Sequence, residues 1–243
     1  MEVRFDDFWI NGVSARSIGL TTVDPLTPPP MASRRYNDYQ IGSDTDMIVA
    51  DDEFDNIPYS INARVIGKPE SLDNSAIYAF LAGAKTLKLS RLPLYEFLIQ
   101  KMIGIQPVAR AKGNEVVYNI GFELSPWKYL AHEPEITLTA GANIQNAGTR
   151  YCKPVYTLHL SSRTGSGTLS VNGQDVAISL QNYDILNNTL VIDSEKQLAY
   201  DGNNVILTKH TSGFYPWMGV GENYVSFGGI IDSVTIKRNE RCY

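Results

Sequence analysis

Leu169-Ser170-Val171-Asn172-Gly173-Gln174-Asp175-Val176-Ala177-Ile178 is a pair of short alternating runs joined by Asn-Gly. A period of two sends alternate side chains to opposite faces of a strand. Asn-Gly accepts the positive φ angles that a two-residue turn requires, so the stretch predicts a β-hairpin. The same pattern surrounds it. Val155, Thr157, His159 and Ser161 alternate with Tyr156, Leu158 and Leu160, and further short runs lie at 189–192, 197–200, 205–207, 224–227 and 230–236, separated by Asn, Asp and Gly. Strands this short and this closely spaced indicate an antiparallel β-sandwich for the second half of the chain.

The first half mixes periods. Phe5, Phe8 and Ile10 precede another turn pair, Asn11-Gly12. Ile77, Phe80, Leu81 and Ala84 fall at i, i+3, i+4 and i+7, with Ser71 or Asp73 before them and Gly83 at the end, which predicts one helix. Leu87 and Leu89, then Tyr95, Phe97, Ile99 and Ile103, then Val117, Tyr118, Ile120 and Phe122 mark strands. The fold class expected is mainly β: an α+β first domain with one helix, then the sandwich. Pro25, Pro28, Pro29 and Pro30 cannot donate to a central ladder, so residues 24–33 read as an extended surface arm or connector. Composition turns toward Gly, Asn, Thr and Ala near residues 126–148, which divides the chain into domains 1–135 and 136–243.

Composition narrows the function classes. The 243 residues are 19% charged and 43% hydrophobic, with net charge −5, values of a folded globular chain. No apolar run approaches the ~18 residues of a membrane span, and the start lacks the basic-then-apolar profile of a signal peptide, so folding in a cytoplasm without membrane contact is expected. Cys152 and Cys242 are too few for a disulfide scaffold and read as reduced. Residues 1–135 carry 13 basic and 18 acidic side chains, against eight and eight in 136–243. Within the first half, Asp38, Asp44, Asp46, Asp51, Asp52, Glu53 and Asp55 form a run without a base. Such a run repels nucleic acid, and its plainest reading is a solvated acidic loop.

Motifs of catalysis are sparse. His132, His159 and His210 are scattered, and no HExxH, CxxC, GxSxG or phosphate-cradling loop is present. Asp44-Thr45-Asp46 resembles a metal-binding pair, but Ile48 and Val49 stand where a calcium loop needs an oxygen ligand and a glycine. The expectation is no enzyme, no cofactor and no metal. Phe214-Tyr215-Pro216-Trp217 reads first as packing at the sandwich rim, next as a protein interface, and last as a sugar-stacking platform.

Two blocks resemble the distal tail (Dit) proteins of bacteriophages with long noncontractile tails. The first runs from Tyr59-Ser60-Ile61 through the helix and Lys85-Thr86-Leu87-Lys88-Leu89-Ser90 to Phe122-Glu123-Leu124-Ser125-Pro126-Trp127-Lys128-Tyr129. The second is Gly167-Thr168-Leu169-Ser170-Val171-Asn172-Gly173, then Val191-Ile192-Asp193-Ser194-Glu195, then Ser212-Gly213-Phe214-Tyr215-Pro216-Trp217 and Gly221-Glu222-Asn223. The resemblance implies a tail-tube-like, ring-forming domain over 1–135 and a galectin-like sandwich over 136–243.

It further implies a virion structural protein of the tail tip, made and assembled in the host cytoplasm. Its copies would close a homo-hexameric hub, as one ring or two back to back. That hub would join the tail tube protein to the tail-associated tip protein and the receptor-binding or baseplate proteins, leaving a channel for DNA in transit. Asp44, Asp46, Asp51, Asp52, Glu53 and Asp55 are then candidates to face the channel, and Phe214, Tyr215 and Trp217 to form an interface. The galectin likeness is one of shape, since His159 is followed by Leu160, Ser161, Ser162 and Arg163 rather than by the sugar-binding His-x-Asn-x-Arg pattern. The alternative function is a carbohydrate-binding adhesin using the same aromatics, with a glycan hydrolase behind it.

Overall fold

The computed structural model describes residues 6–39, 47–66, 74–111, 115–131, 133–181, 185 and 187–243. They form two compact units, Met1–Ala131 with Tyr243, and His132–Cys242.

In the first unit the strands are β1 (Phe8–Ile10), β2 (Val13–Ser14), β3 (Leu20–Thr22), β4 (Arg34–Tyr39), β5 (Met47–Phe54) and β6 (Ile57–Ile66), followed by helix α1 (Asn74–Ala82) and then β7 (Thr86–Leu89), β8 (Tyr95–Ala111) and β9 (Glu115–Leu130). One antiparallel sheet runs in the order β2-β1-β7-β8-β9-β6-β3, and β4 and β5 form a separate ribbon. Alternation sends Tyr59, Ile61 and Ala63 of β6 and Tyr118, Ile120, Phe122 and Leu124 of β9 to one face. Helix α1 covers that core with Ile77 and Leu81, which are 4% and 1% exposed. Its predicted caps, Ser71 and Asp73, lie outside the described residues.

The turn at Asn11-Gly12 has φ angles of 51° and 80°, as the pair predicts. Asn11 also ties the end of α1 to β7. Its Nδ2 donates to Gly83 O at 2.7 Å and its Oδ1 accepts from the amides of Lys85 and Thr86 at 2.8 and 3.1 Å.

Two expectations change here. The described backbone of the acidic run is strand rather than loop as far as Glu53, with Asp55 just beyond the strand end: β4 and β5 pair antiparallel from Arg34↔Phe54 to Tyr39↔Met47. Nor is the proline segment a free arm. Leu26 and Ala32 are buried in the unit's own core, Leu26 N donates to Asp6 Oδ2 at 2.8 Å, and Tyr59 Oη donates to Thr27 O at 2.7 Å. Deleting 24–33 would thus take core residues from the unit, rather than leave it intact.

The second unit holds β10 (Ile136–Leu138), β11 (Ala142–Asn146), β12 (Val155–Leu160), β13 (Gly165–Val171), β14 (Gln174–Leu180), β15 (Thr189–Asp193), β16 (Leu198–Asp201), β17 (Thr211–Gly213), β18 (Gly221–Gly229) and β19 (Ile231–Lys237). They make two five-stranded antiparallel sheets, β10-β19-β12-β15-β16 and β11-β18-β13-β14-β17. Tyr156, Leu158, Ile192 and Val234 from one sheet meet Leu169, Val176, Ile178 and Val225 from the other in a single core. The Asn172-Gly173 hairpin forms with φ angles of 51° and 80°. The run at 205–207 is not a strand: Ile206 makes one isolated bridge to Tyr200, and the chain then turns through a 3-10 segment, Thr208–His210.

Candidate functional site

Four features stand out from the packed framework. The first is the acidic ribbon of the first unit. Asp44 and Asp46 lie outside the described residues, and Asp51 and Asp52 are placed on strand β5 by its backbone. Glu53 and Asp55 are exposed, and both meet Arg35 from the paired strand: Arg35 Nε donates to Asp55 Oδ1 at 2.7 Å and Nη1 to Glu53 Oε2 at 2.9 Å. Hydrogen bonding and the charge of Asp55 raise the Arg35 pKa above its usual value, so the guanidinium stays charged. The sequence could have offered this signal, because a base three residues outside an acidic run becomes its neighbour once the run folds into a ribbon.

The second feature is an apolar cleft in the same unit, 260 Å³ in volume, lined by Pro29, Pro30, Met31, Phe54, Phe97 and Tyr243 among others. Behind it, Phe54 and Trp127 meet edge-on with centroids 4.8 Å apart, and Trp127 and Tyr243 do so at 5.6 Å. Such ring pairs add to the stability that burial provides.

The third is the aromatic segment after β17. Phe214 is 77% exposed and Trp217 46%, whereas Tyr215 is half-buried with its hydroxyl 2.9 Å from Thr211 Oγ1. Trp217 leans edge-on against Tyr151 at 5.7 Å, and its amide donates to Gln174 Oε1 at 3.2 Å. The structure thus separates the predicted trio into two exposed rings and one packed ring.

The fourth is a groove of 470 Å³ in the second unit, between the outer face of β13, β14 and β17 and the turn Thr208–His210. Sequence reading missed it, because its serines and threonines carry no motif and come together only through strand register.

Buried charge gathers elsewhere in the second unit. Arg238 Nε lies 2.8 Å from Glu133 Oε1 and Nη1 2.8 Å from Glu240 Oε1, with Arg238 also donating to Gln145 O at 2.7 Å. Arg241 pairs with Glu195. Desolvation raises the Glu133 carboxyl above the usual carboxylate range, helped by the charge of Glu240 and opposed by the Glu240 amide and by Arg238. Cys152, buried beside this cluster, is pushed up to about 12, first by desolvation and then by Glu133 and Glu240. A thiol held protonated in this way is a poor nucleophile. Both cysteines are free. His159 sits on strand β12 with Nε2 3.1 Å from Thr235 Oγ1, and among the described residues no three His, Cys, Asp or Glu side chains converge as metal ligands would.

No protein-family model matches the chain, and no curated protein matches it. Among solved structures it is similar to the crystal structure of the SPP1 Dit protein, described as a paradigm of the hub adsorption apparatus in phages that infect Gram-positive bacteria. The likeness spans 96% of this chain and 98% of that one, with a TM-score of 0.64 and 13% sequence identity. The chain therefore has a Dit-like, β-rich fold over almost its whole length.

Proposed function

We propose that this chain is a structural protein of a bacteriophage tail tip, acting by assembly rather than by catalysis. The observation that carries the reading is the fold likeness to the SPP1 Dit protein across both units, 96% of this chain and 98% of that one. A likeness confined to one unit would support only a shared sandwich or a shared sheet; one that spans both supports a shared architecture. In the proposal the first unit closes a six-membered ring, and the second carries exposed rings, Phe214 and Trp217, toward docked tail proteins. Exposed aromatics that are pre-held by neighbours lose little freedom on docking, which favours them as interface anchors. The acidic ribbon faces the channel, where like charge keeps passing DNA from adhering. The ring sits at the virion tail end, between the tube protein and the tip and receptor-binding proteins.

The test is the solution mass by light scattering, alone and with the tail tube protein, with the particles imaged by electron microscopy. One chain is 27.0 kDa, so a ring of six is 6 × 27.0 = 162 kDa. A species at that mass, or twice it, with a central channel is expected. A monomer that forms no ring even with the tube protein present would overturn the reading.

A further inference from the structure

We propose that the groove between the outer face of β13, β14 and β17 and the turn Thr208–His210 is a binding site for a phosphorylated sugar. The inference goes beyond the assembly reading and does not depend on it.

The floor follows from strand alternation. Leu169, Val171, Val176, Ile178 and Leu180 point into the sandwich core, so Ser166, Thr168, Ala177 and Ser179 must point out of it. Register then aligns them. Ser166 lies opposite Ser179, and Thr168 opposite Ala177, which in turn faces Ser212 on the edge strand. The row continues past Thr168 to Gly228, where an added Cβ would meet nothing within 4 Å. No side chain in that row of Gly228, Thr168, Ala177 and Ser212 is longer than threonine, so the floor is a shallow trough. The turn at Thr208–His210 raises Lys209 and His210 along one side.

Chemistry selects the ligand. The volume, 470 Å³, lies within the ~300–1,000 Å³ that small-molecule sites occupy. Ser166, Thr168, Ser179 and Ser212 have no side-chain hydrogen-bond partner among the described residues, and each hydroxyl can both donate and accept. Such groups suit a ligand that is itself hydroxylated. Among the described residues no carboxylate lines the groove, whereas the Lys209 ammonium does, so charge complementarity calls for an anion. Among the described residues no Phe, Tyr or Trp ring lines it and the His210 imidazole is the one ring on its side, so the broad stacking platform that a neutral sugar face or a nucleobase would use is lacking there. A sugar carrying a phosphate satisfies both halves: the phosphate on Lys209, the hydroxyls on the serines and Thr168.

The experiment is calorimetric titration of the full chain with glucose 6-phosphate, glucose, inorganic phosphate and a short oligodeoxynucleotide. It is repeated with Lys209→Ala, Thr168→Val and, on the other sheet, Lys237→Ala, all at exposed positions of the fold. Glucose 6-phosphate should bind more tightly than either glucose or inorganic phosphate. Lys209→Ala should weaken it by about tenfold or more, the loss expected for one charge-assisted hydrogen bond, and Thr168→Val by a smaller factor, with Lys237→Ala unchanged. Absence of binding, binding undiminished by Lys209→Ala, equal affinity for inorganic phosphate, or preference for the oligonucleotide would each overturn the proposal. None of these results bears on the ring, which is read from solution mass and particle images.

Discussion

Arg35 of strand β4 donates through Nε to Asp55, one residue beyond the end of its partner strand β5, at 2.7 Å, and reaches Glu53 with Nη1 at 2.9 Å. The acidic run therefore carries its own counter-charge, supplied across the ribbon rather than along the chain. All three side chains are more than half exposed, so solvent and salt screen the pairs. Arg35→Ala should leave the melting temperature of the chain essentially unchanged while making the ribbon more negative. A large drop in the thermal melt would mean that the ribbon depends on this arginine for its fold.

Glu133 has the opposite character, being buried beside Arg238 and Glu240. Its folded pKa is raised above the usual 4.5, so the folded protein holds this proton more tightly than the unfolded chain does. The stabilisation is complete below the unfolded value and is lost as pH rises through the folded one. Relative to Glu133→Gln, the wild type should lose stability with rising pH just above 4.5 and then level off. Urea denaturation of both proteins from pH 4 to 8 measures the difference, and a gap independent of pH would contradict the assignment.

Leu158 is fully removed from solvent at the centre of the sandwich, whereas Phe214 stands 77% exposed at its rim. Leu158→Ala should cost about 2–5 kcal/mol by lost transfer energy and the cavity left behind. Phe214→Ala should leave the denaturation midpoint within error and, on the assembly reading, weaken docking of a tail partner. Equal effects on stability would remove Phe214 from the interface.

Gly229 sits at φ 72°, where β18 turns toward β19, and a Cβ built there would overlap the carbonyl oxygen of Ser166. The positive φ and the contact penalise any side chain together. Gly229→Ala should destabilise the chain by more than about 2 kcal/mol in chemical denaturation. By contrast, Gly228→Ala meets open space and should be close to neutral, so the pair of variants isolates the backbone effect.

Replacing Asp44, Asp46, Asp51 and Asp52 together with Asn tests the channel proposal. Tails should assemble in normal numbers while DNA delivery into cells falls, scored by infectivity per assembled particle. Unchanged infectivity would place these carboxylates away from the DNA path.

Local rules settle much of the fold from the sequence itself. Asn11-Gly12 and Asn172-Gly173 specify their hairpins because few residue pairs tolerate two consecutive positive φ angles, and the spacing of Ile77 and Leu81 specifies the helix. The alternation in β12 to β14 and in β18 to β19 specified a sandwich, because a face with one apolar side must bury it against another. The ribbon β4–β5 was not legible, since its acids obscure any apolar alternation and its stability comes from cross-strand pairing. Strands β10 and β11 were missed for a related reason: β10 is only three residues long, β11 is largely polar, and both are ordered by what they pair with.

Tertiary structure alone decided the rest. It packed Leu26 and Ala32 into the first unit's core, where prolines by themselves suggest only an extended path. It split Phe214, Tyr215 and Trp217 into two exposed rings and one packed ring, although adjacency in sequence makes them look equivalent. It also brought Thr168, Ala177 and Ser212 into one row, across 44 residues of chain from Thr168 to Ser212. Secondary structure depends on which torsions and periods a short stretch permits, and those are written in the stretch itself. A site depends on which distant strands pair and in what register, and that is set only when the whole core closes.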